Sequence, residues 1–196
     1  FDGETMRIFQ SIGLADKIEA QSASNDTLNF VNGKGASLMR VALDSLPETA
    51  GWPADIFFHQ PLVEHELREN LRRYDSVHQM LGWAVEDIKQ DDDGVTLRLE
   101  DRQSGAHQEI SAAYVLGADG ADSKVRDLMG IELDDLQCDE PWLVVDWELE
   151  PDVAFKRDVY QFCDPKRPGT LVPCAGQHIR WEFMMNDDDD VATMED

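Results

Sequence analysis

The stretch Tyr114-Val-Leu-Gly-Ala-Asp-Gly-Ala-Asp-Ser-Lys-Val-Arg126 constrains the fold more than any other part of the chain. Its pattern predicts a short buried strand over Tyr114 to Leu116 and a glycine-bracketed turn carrying one carboxylate, Asp119. A helix then begins near Ser123. A strand–turn–helix unit of this kind presents backbone N–H groups and one fixed acid to a ligand, which suits a nucleotide phosphate and ribose. Residue types alone leave two readings open. Either the turn binds such a ligand, or its glycines only permit a tight strand-to-helix connection.

The 196 residues suffice for one large domain or two small ones, and a 42% hydrophobic share supports a core. Against 41 acidic residues stand 17 basic ones, a formal net charge of −24. Nucleic acid and anionic membrane surfaces require a cationic footprint, so neither is an expected partner. The acidity reads as a solvated surface. Cys138, Cys163 and Cys174 show no C-x-x-C spacing, which fits a reducing compartment and neither a disulfide framework nor a zinc site. No apolar run approaches the ~18 residues of a membrane span, and no secretory segment opens the chain. The expected location is the cytoplasm. The chain begins at Phe1, already inside a helix-bearing segment, so an internal fragment of a longer protein is expected.

In chain order, Gly3 to Ile12 has helical spacing with Gly13 as its C-terminal cap, and Leu14 to Ile18 adds a short turn. Thr27–Val31 and Ser37–Leu43 read as two strands of a hairpin. The intervening Gly33-Lys34-Gly35 lacks the third glycine and the following helix of a phosphate loop, so it reads as a plain turn. A loop spans 46–55, then Ile56–Phe58 forms a brief strand and Pro61 opens a helix. Val63, Leu67, Leu71 and Tyr74 give that helix one buried stripe, and Glu64–Arg68 and Glu69–Arg73 give it i,i+4 pairs. Val77–Leu81 with Ala84–Ile88, Val95–Leu99 and Gln108–Ser111 predict a three-stranded antiparallel excursion. Four strands follow the Ser123–Met129 helix: Trp142–Glu148, Val159–Cys163, Thr170–Cys174 and His178–Met185.

No Ser-His-Asp set stands out among the five histidines. His65 sits amid charges and reads as solvated, whereas His59, at a strand end, is the better site candidate. The runs Asp91–Asp93 and Asp187–Asp190 lack the spacing of a calcium loop and read as solvated turns, so no metal site is expected. The late aromatics alternate along their strands, which puts some in the sheet core and others on the opposite face, where they could line a pocket.

Asp119-Gly120-Ala-Asp122-Ser123-Lys-Val125-Arg126 resembles the D-G-x-(charged)-S-x-(apolar)-R signature of the class A flavoprotein monooxygenases, the FAD- and NAD(P)H-dependent aromatic hydroxylases. Gly51-Trp-Pro53, His59-Gln-Pro61, Trp142-Leu-Val-Val-Asp146 and Arg180-Trp-Glu-Phe-Met184 resemble the hydroxyphenylpropionate hydroxylase branch of that family. The likeness spans nearly the whole chain. The departures are the family's opening G-x-G-x-x-G unit, its later G-D motif and its final helical part, none of which has a match here.

The resemblance implies an α/β and α+β fold, the central part of an FAD/NAD(P)-binding monooxygenase with a mostly antiparallel substrate-domain sheet. Residues 1–26 and 59–130 would form part of the flavin domain, and 27–58 with 131–196 part of the substrate domain. It implies FAD as cofactor and NADH or NADPH as co-substrate. Asp119 would hold a ribose hydroxyl, Gly120 would let the backbone approach the pyrophosphate, Arg126 would brace the turn and meet the nicotinamide, and Gln60 would contact FAD. Tyr160, Val172 and Trp181 are the implied substrate-lining residues. The implied reaction is hydroxylation of a hydroxyphenylpropionate-like phenolic acid by O2 through a flavin hydroperoxide, with the hard chemistry on the cofactor and no catalytic side chain required. A non-catalytic binding or scaffold domain of the same fold, holding no flavin, is the alternative. The segment alone is expected to be inactive and to bind FAD weakly or not at all, and a homo-oligomer is compatible with the sequence.

Overall fold

Asp2 starts the first helix. Its carboxylate accepts from the Thr5 backbone N–H at 2.9 Å, satisfying a donor that a helix N-terminus leaves unpaired. Helix α1 (Gly3–Ser11) stops just before Gly13, whose φ of +71° is the left-handed geometry expected of a terminating glycine. The computed structural model, described over residues 1–137 and 140–190, continues through α2 (Ala15–Ala20), β1 (Ser22–Ala23), β2 (Thr27–Asn32) and β3 (Ser37–Ala42). Next come β4 (Phe57–Phe58), α3 (Gln60–Leu71), β5 (Trp83–Asp91), β6 (Gly94–Asp101), β7 (His107–Ala112) and α4 (Lys124–Leu128). The last strands are β8 (Trp142–Glu148), β9 (Asp158–Cys163), β10 (Gly169–Pro173) and β11 (His178–Met184). Two units result, Phe1–Tyr74 with Asp139–Asp196, and Asp75–Cys138. Cys138 itself lies outside the described residues; Cys163 and Cys174 are free thiols.

In the first unit the helical period turns Met6, Leu14, Ala15, Ile18 and Val63 inward, and Ile56 joins them in one buried cluster. Leu67 packs against it, but Leu71 and Tyr74 are 37% and 43% exposed. The expected stripe therefore fades along α3, because the helix ends at Leu71 and Tyr74 lies past it. Arg68 pairs with Glu64 at 2.9 Å as anticipated, whereas Glu69 takes Arg72 at 2.8 Å and Arg73 turns to the Ile12 carbonyl.

The same unit holds a six-stranded sheet in the order β3-β2-β9-β10-β11-β8. Every junction is antiparallel except β2 with β9, so the hairpin near residue 30 joins strands more than a hundred residues later in the chain through a parallel ladder. Cross-strand partners share a face. One row runs Tyr160–Leu171–Trp181–Val145, and the neighbouring row Val172–Arg180–Asp146 lies on the other face. The two-residue strand β1, unexpected from the sequence, pairs with β4.

In the second unit β5, β6 and β7 form the antiparallel excursion. Asp91 makes its turn by accepting from the Asp93 and Gly94 N–H groups at 2.9 and 3.1 Å, which accounts for one acidic run as turn chemistry. Residues 77–81 form no strand, and Leu81 is 67% exposed. Tyr114–Leu116 also differs from expectation. No strand among the described residues pairs with it, and Tyr114 and Leu116 are 91% and 92% exposed. A strand exists only with a partner for its N–H and C=O groups, so the apolar pattern alone leaves it extended and uncovered.

Candidate active site

Two places carry the expected site residues, one in each unit. In the second, the Asp119 turn leads into α4. The carboxylate accepts from Ser123 Oγ at 2.5 Å and from the Val125 N–H at 3.0 Å, and both bonds hold it below the usual carboxylate range, Ser123 contributing most. Ser123 in turn caps α4 by accepting from the Arg126 N–H at 3.1 Å. Arg126 Nη1 donates back to the Ala121 carbonyl at 2.6 Å, closing the turn on itself. Gly120 has φ +87°, and a Cβ placed there would meet nothing within 4 Å. Its outer surface is thus open to close approach by a ligand. A carboxylate offers about four lone-pair directions, and the turn's own two bonds leave Asp119 able to accept from a hydroxyl. These features fit the ribose and phosphate of a dinucleotide. Behind the turn, Val95, Val115, Val125 and Met129 line a hollow of about 650 Å³.

The first unit contains a cleft of about 460 Å³ between the start of α3 and the sheet. His59 is the N-cap of α3, its carbonyl accepting from the Leu62 N–H at 3.1 Å, and Gln60 and Pro61 open the helix. Gln60 donates its side-chain amide to Glu64 at 2.9 Å. Opposite them, Val172, His178, Arg180, Glu182 and Asp146 rise from one face of β10, β11 and β8. Arg180 grips Asp146 through two bonds of 2.7 and 2.8 Å, a bidentate pair that keeps the Asp146 carboxyl low.

The imidazoles of His59 and His178 stack with centroids 3.9 Å apart and planes 13° from parallel. Two unit charges at about 4 Å repel by ~4 kcal/mol at an effective dielectric near 20, so the pair disfavours double protonation. Burial first, and His178 second, push the His59 pKa down, against a weaker pull from Asp146 and Glu148. His59 Nδ1 is buried with no hydrogen-bond partner, a state that costs about 1–3 kcal/mol until a ligand or water fills it. Burial raises the Asp55 carboxyl and the Cys174 thiol at the cleft margin.

Of the expected residues, Gln60 and Val172 meet in this cleft, and Asp119, Gly120 and Arg126 meet in the turn. Tyr160 and Trp181 are on the opposite sheet face. There Tyr160, Phe162, Trp181 and Phe183 form a stack with centroids 5.5 to 6.0 Å apart, which is packing rather than cleft lining. Sequence reasoning passed over His178, Arg180 and Asp146. For His178 and Arg180 the signal was present in β11, where His178, Arg180 and Glu182 alternate with Ile179, Trp181 and Phe183, giving the strand one polar face.

The chain matches the FAD binding domain model FAD_binding_3 over residues 1–196. It is 36% identical over 186 residues to a probable NADH-specific resorcinol 4-hydroxylase of Rhodococcus jostii, covering 94% of this chain and 35% of that protein. With a 3-(3-hydroxy-phenyl)propionate/3-hydroxycinnamic acid hydroxylase of Mycolicibacterium smegmatis it shares 35% identity over 197 residues, 100% of this chain and 34% of the relative. The chain thus spans about a third of the length of these curated relatives. Among solved structures, p-nitrophenol 4-monooxygenase PnpA from Pseudomonas putida aligns with all of it at a TM-score of 0.85, with 22% identity, over 49% of its own length. The flavin-dependent monooxygenase PieE, solved with FAD and substrate, aligns at 0.78 and 22% identity over 97% of this chain and 36% of its own. These likenesses show the fold, and the family follows from the domain match: the chain belongs to the FAD binding domain family FAD_binding_3.

Proposed function

We propose that this chain is the central part of an aromatic hydroxylase that uses FAD, NADH or NADPH and O2 to hydroxylate a phenolic acid of the hydroxyphenylpropionate kind. The observation that carries the reading is the cleft in which Gln60, at the head of α3, faces Val172 and Arg180 on the sheet. Family membership and the hydroxylase names of relatives above 30% identity support it. In this reading Asp119 holds a ribose hydroxyl of FAD, the backbone at Gly120 approaches the pyrophosphate, and Gln60 contacts the cofactor. Arg126 braces the turn and meets the nicotinamide. Bound FAD would supply the redox and oxygen chemistry, fed by the reduced nicotinamide.

The chain's own residues bind, orient and exclude water. Val172 is the proposed substrate-lining residue, and Arg180, tied to Asp146, sets the charge of the cleft floor. Residues 1–26 and 59–130 are assigned to the flavin domain, and 27–58 with 131–196 to the substrate domain. The six-stranded sheet that unites 27–42 with 142–184 supports the second assignment. A cytoplasmic site accords with free Cys163 and Cys174, and no helix among the described residues is long and apolar enough to cross a membrane. The test is oxidation of reduced nicotinamide by the flavin-loaded protein that carries this chain. Added 3-(3-hydroxyphenyl)propionate or resorcinol is expected to accelerate it, and indifference to every phenol tried would reject the proposal.

A further inference from the structure

The six-stranded sheet ends in two edges, β3 and β8, and neither is paired on its outer side among the described residues. An open edge presents a row of N–H and C=O groups to any further strand, and charged side chains are a common guard against it. The two edges differ in that respect. β8 exposes Trp142, Val144 and Trp147, but Asp146 and Glu148 lie in the strand and Glu140, Glu150 and Asp152 flank it. Residues 27–43 contain no acid and carry Lys34 and Arg40, and in β3 the apolar Leu38 and Met39 are exposed. In a chain of net charge −24, β3 is the edge that two copies can bring together without setting acid against acid.

The backbone of β3 suits strand addition. The Leu43 N–H donates to the Asp26 carbonyl at 3.0 Å, in the ladder that pairs Val41 with Leu28 and Met39 with Phe30. Main-chain groups alternate in direction along an antiparallel strand. Those of Met39, Val41 and Leu43 therefore point to β2, and those of Arg40 and Ala42 point out of the sheet. Met39, Val41 and Leu43 also share one side-chain face, an apolar row with Met39 exposed and the other two half-buried.

Sequence and geometry narrow the register of a two-fold pairing. Centring it on Arg40 sets two guanidiniums directly opposite, which is unfavourable, and draws in Leu38, the extra residue of the bulge. Centring it on Ala42 runs past the end of the strand. Centring it on Val41 sets Arg40 opposite Ala42 of the other copy and Met39 opposite Leu43, so the two apolar rows meet on one face.

We propose that β3 is a self-association edge, at which two copies of this chain pair antiparallel about Val41 and continue one sheet across both. Pairing β3 with β8 of another copy would leave a free edge at each end and grow without closing, whereas β3 on β3 closes at two. A contact this short belongs to the weak, reversible class of interfaces, so the dimer dissociates on dilution. The proposal goes beyond the phenolic reading and is independent of it.

The test uses the full protein that carries this chain. Analytical ultracentrifugation over a wide range of concentration should show monomer passing to dimer and nothing larger. Ala42→Pro removes an outward N–H without touching the ladder to β2, and should weaken the dimer by about tenfold or more. Val41→Cys puts two thiols on the axis, at a non-hydrogen-bonded pair whose Cα atoms lie about 4.5 Å apart, within disulfide reach. In a Cys163→Ser background it should give a covalent dimer on mild oxidation, and Met39→Cys should not. The cysteine comparison carries the test if Ala42→Pro does not fold. A protein monomeric throughout, oligomers that grow past dimer, a dimer that Ala42→Pro leaves intact, or no cross-link at Val41 overturns the inference. Slow hydrogen exchange at the Arg40 and Ala42 amides of a monomer also overturns it, because another segment of the same polypeptide then covers the edge. Each of these outcomes leaves the phenolic reading standing.

Discussion

Arg180 and Asp146 are direct cross-strand partners on β11 and β8, joined by Nε to Oδ1 at 2.7 Å and Nη2 to Oδ2 at 2.8 Å. Val172 on β10 completes the row, so the pair fixes a guanidinium on the cleft floor beside a residue of the proposed substrate wall. The side chains are 41% and 60% exposed, which limits the pair's worth to stability.

Asp146→Asn is therefore expected to cost no more than about 1 kcal/mol in chemical denaturation. Its larger effect is on charge. With the carboxylate neutralised, Arg180 is left uncompensated, and binding of an aromatic carboxylate should tighten by about fivefold at low salt, less at high salt. Titration calorimetry at two ionic strengths measures this.

Asp119 and Ser123 separate the ligand role of the turn from its structural role. Ser123→Ala removes the cap of α4 and should cost about 1 kcal/mol with little change in FAD affinity. Asp119→Ala removes the carboxylate proposed to hold the ribose and should weaken FAD binding by about tenfold or more. Flavin fluorescence titration of the full protein compares the two. Equal, small effects would contradict the assignment of Asp119.

The helical cluster of the first unit depends on side chains with no exposure at all. Met6 and Ile18 are both 0% exposed. Met6→Ala should lower stability by about 2–5 kcal/mol, the range for deleting a large apolar side chain from a packed site. The denaturation midpoint should fall with the slope unchanged.

Stability should depend on pH in two separate windows. The folded pKa of His59 is depressed below 6.5, so between those values the unfolded chain binds more protons and stability falls as the pH drops below about 6.5. Asp146, held low by Arg180, and Asp189, held low by a two-bond pair with Arg167 at 2.7 Å, have folded values below 3.8. Their contribution is present above 3.8 and is lost only as the pH falls through those lower values. His59→Asn should flatten the upper window and spare the lower one, as followed by denaturation across pH.

Much of this fold was legible because its elements carry local signals. Asp2 and Gly13 bracket α1, Pro61 opens α3, and Asp91 to Gly94 makes the β5–β6 turn, each through a bond or a dihedral a few residues away. What escaped depends on partners distant in the chain. The apolar run Tyr114–Leu116 reads as a strand, yet a ladder needs a neighbour that no window of sequence displays. The parallel pairing of Leu28 with Val159, and the meeting of His59 with His178, are likewise products of topology. The turn at Asp119 was visible because its chemistry is contained within eight residues. The cleft was half visible: Gln60 and Val172 were named, but the register that adds Arg180 and Asp146, and turns Trp181 away, was not.

The central claim is that the protein carrying this chain inserts one atom of O2 into a phenolic acid. The direct measurement is turnover of 3-(3-hydroxyphenyl)propionate with FAD, reduced nicotinamide and isotopically heavy dioxygen, followed by mass spectrometry of the product. One heavy oxygen in a newly hydroxylated ring is the predicted result. A hydroxylated product carrying only light oxygen from water, or reduced nicotinamide consumed with the ring left unaltered, would contradict it.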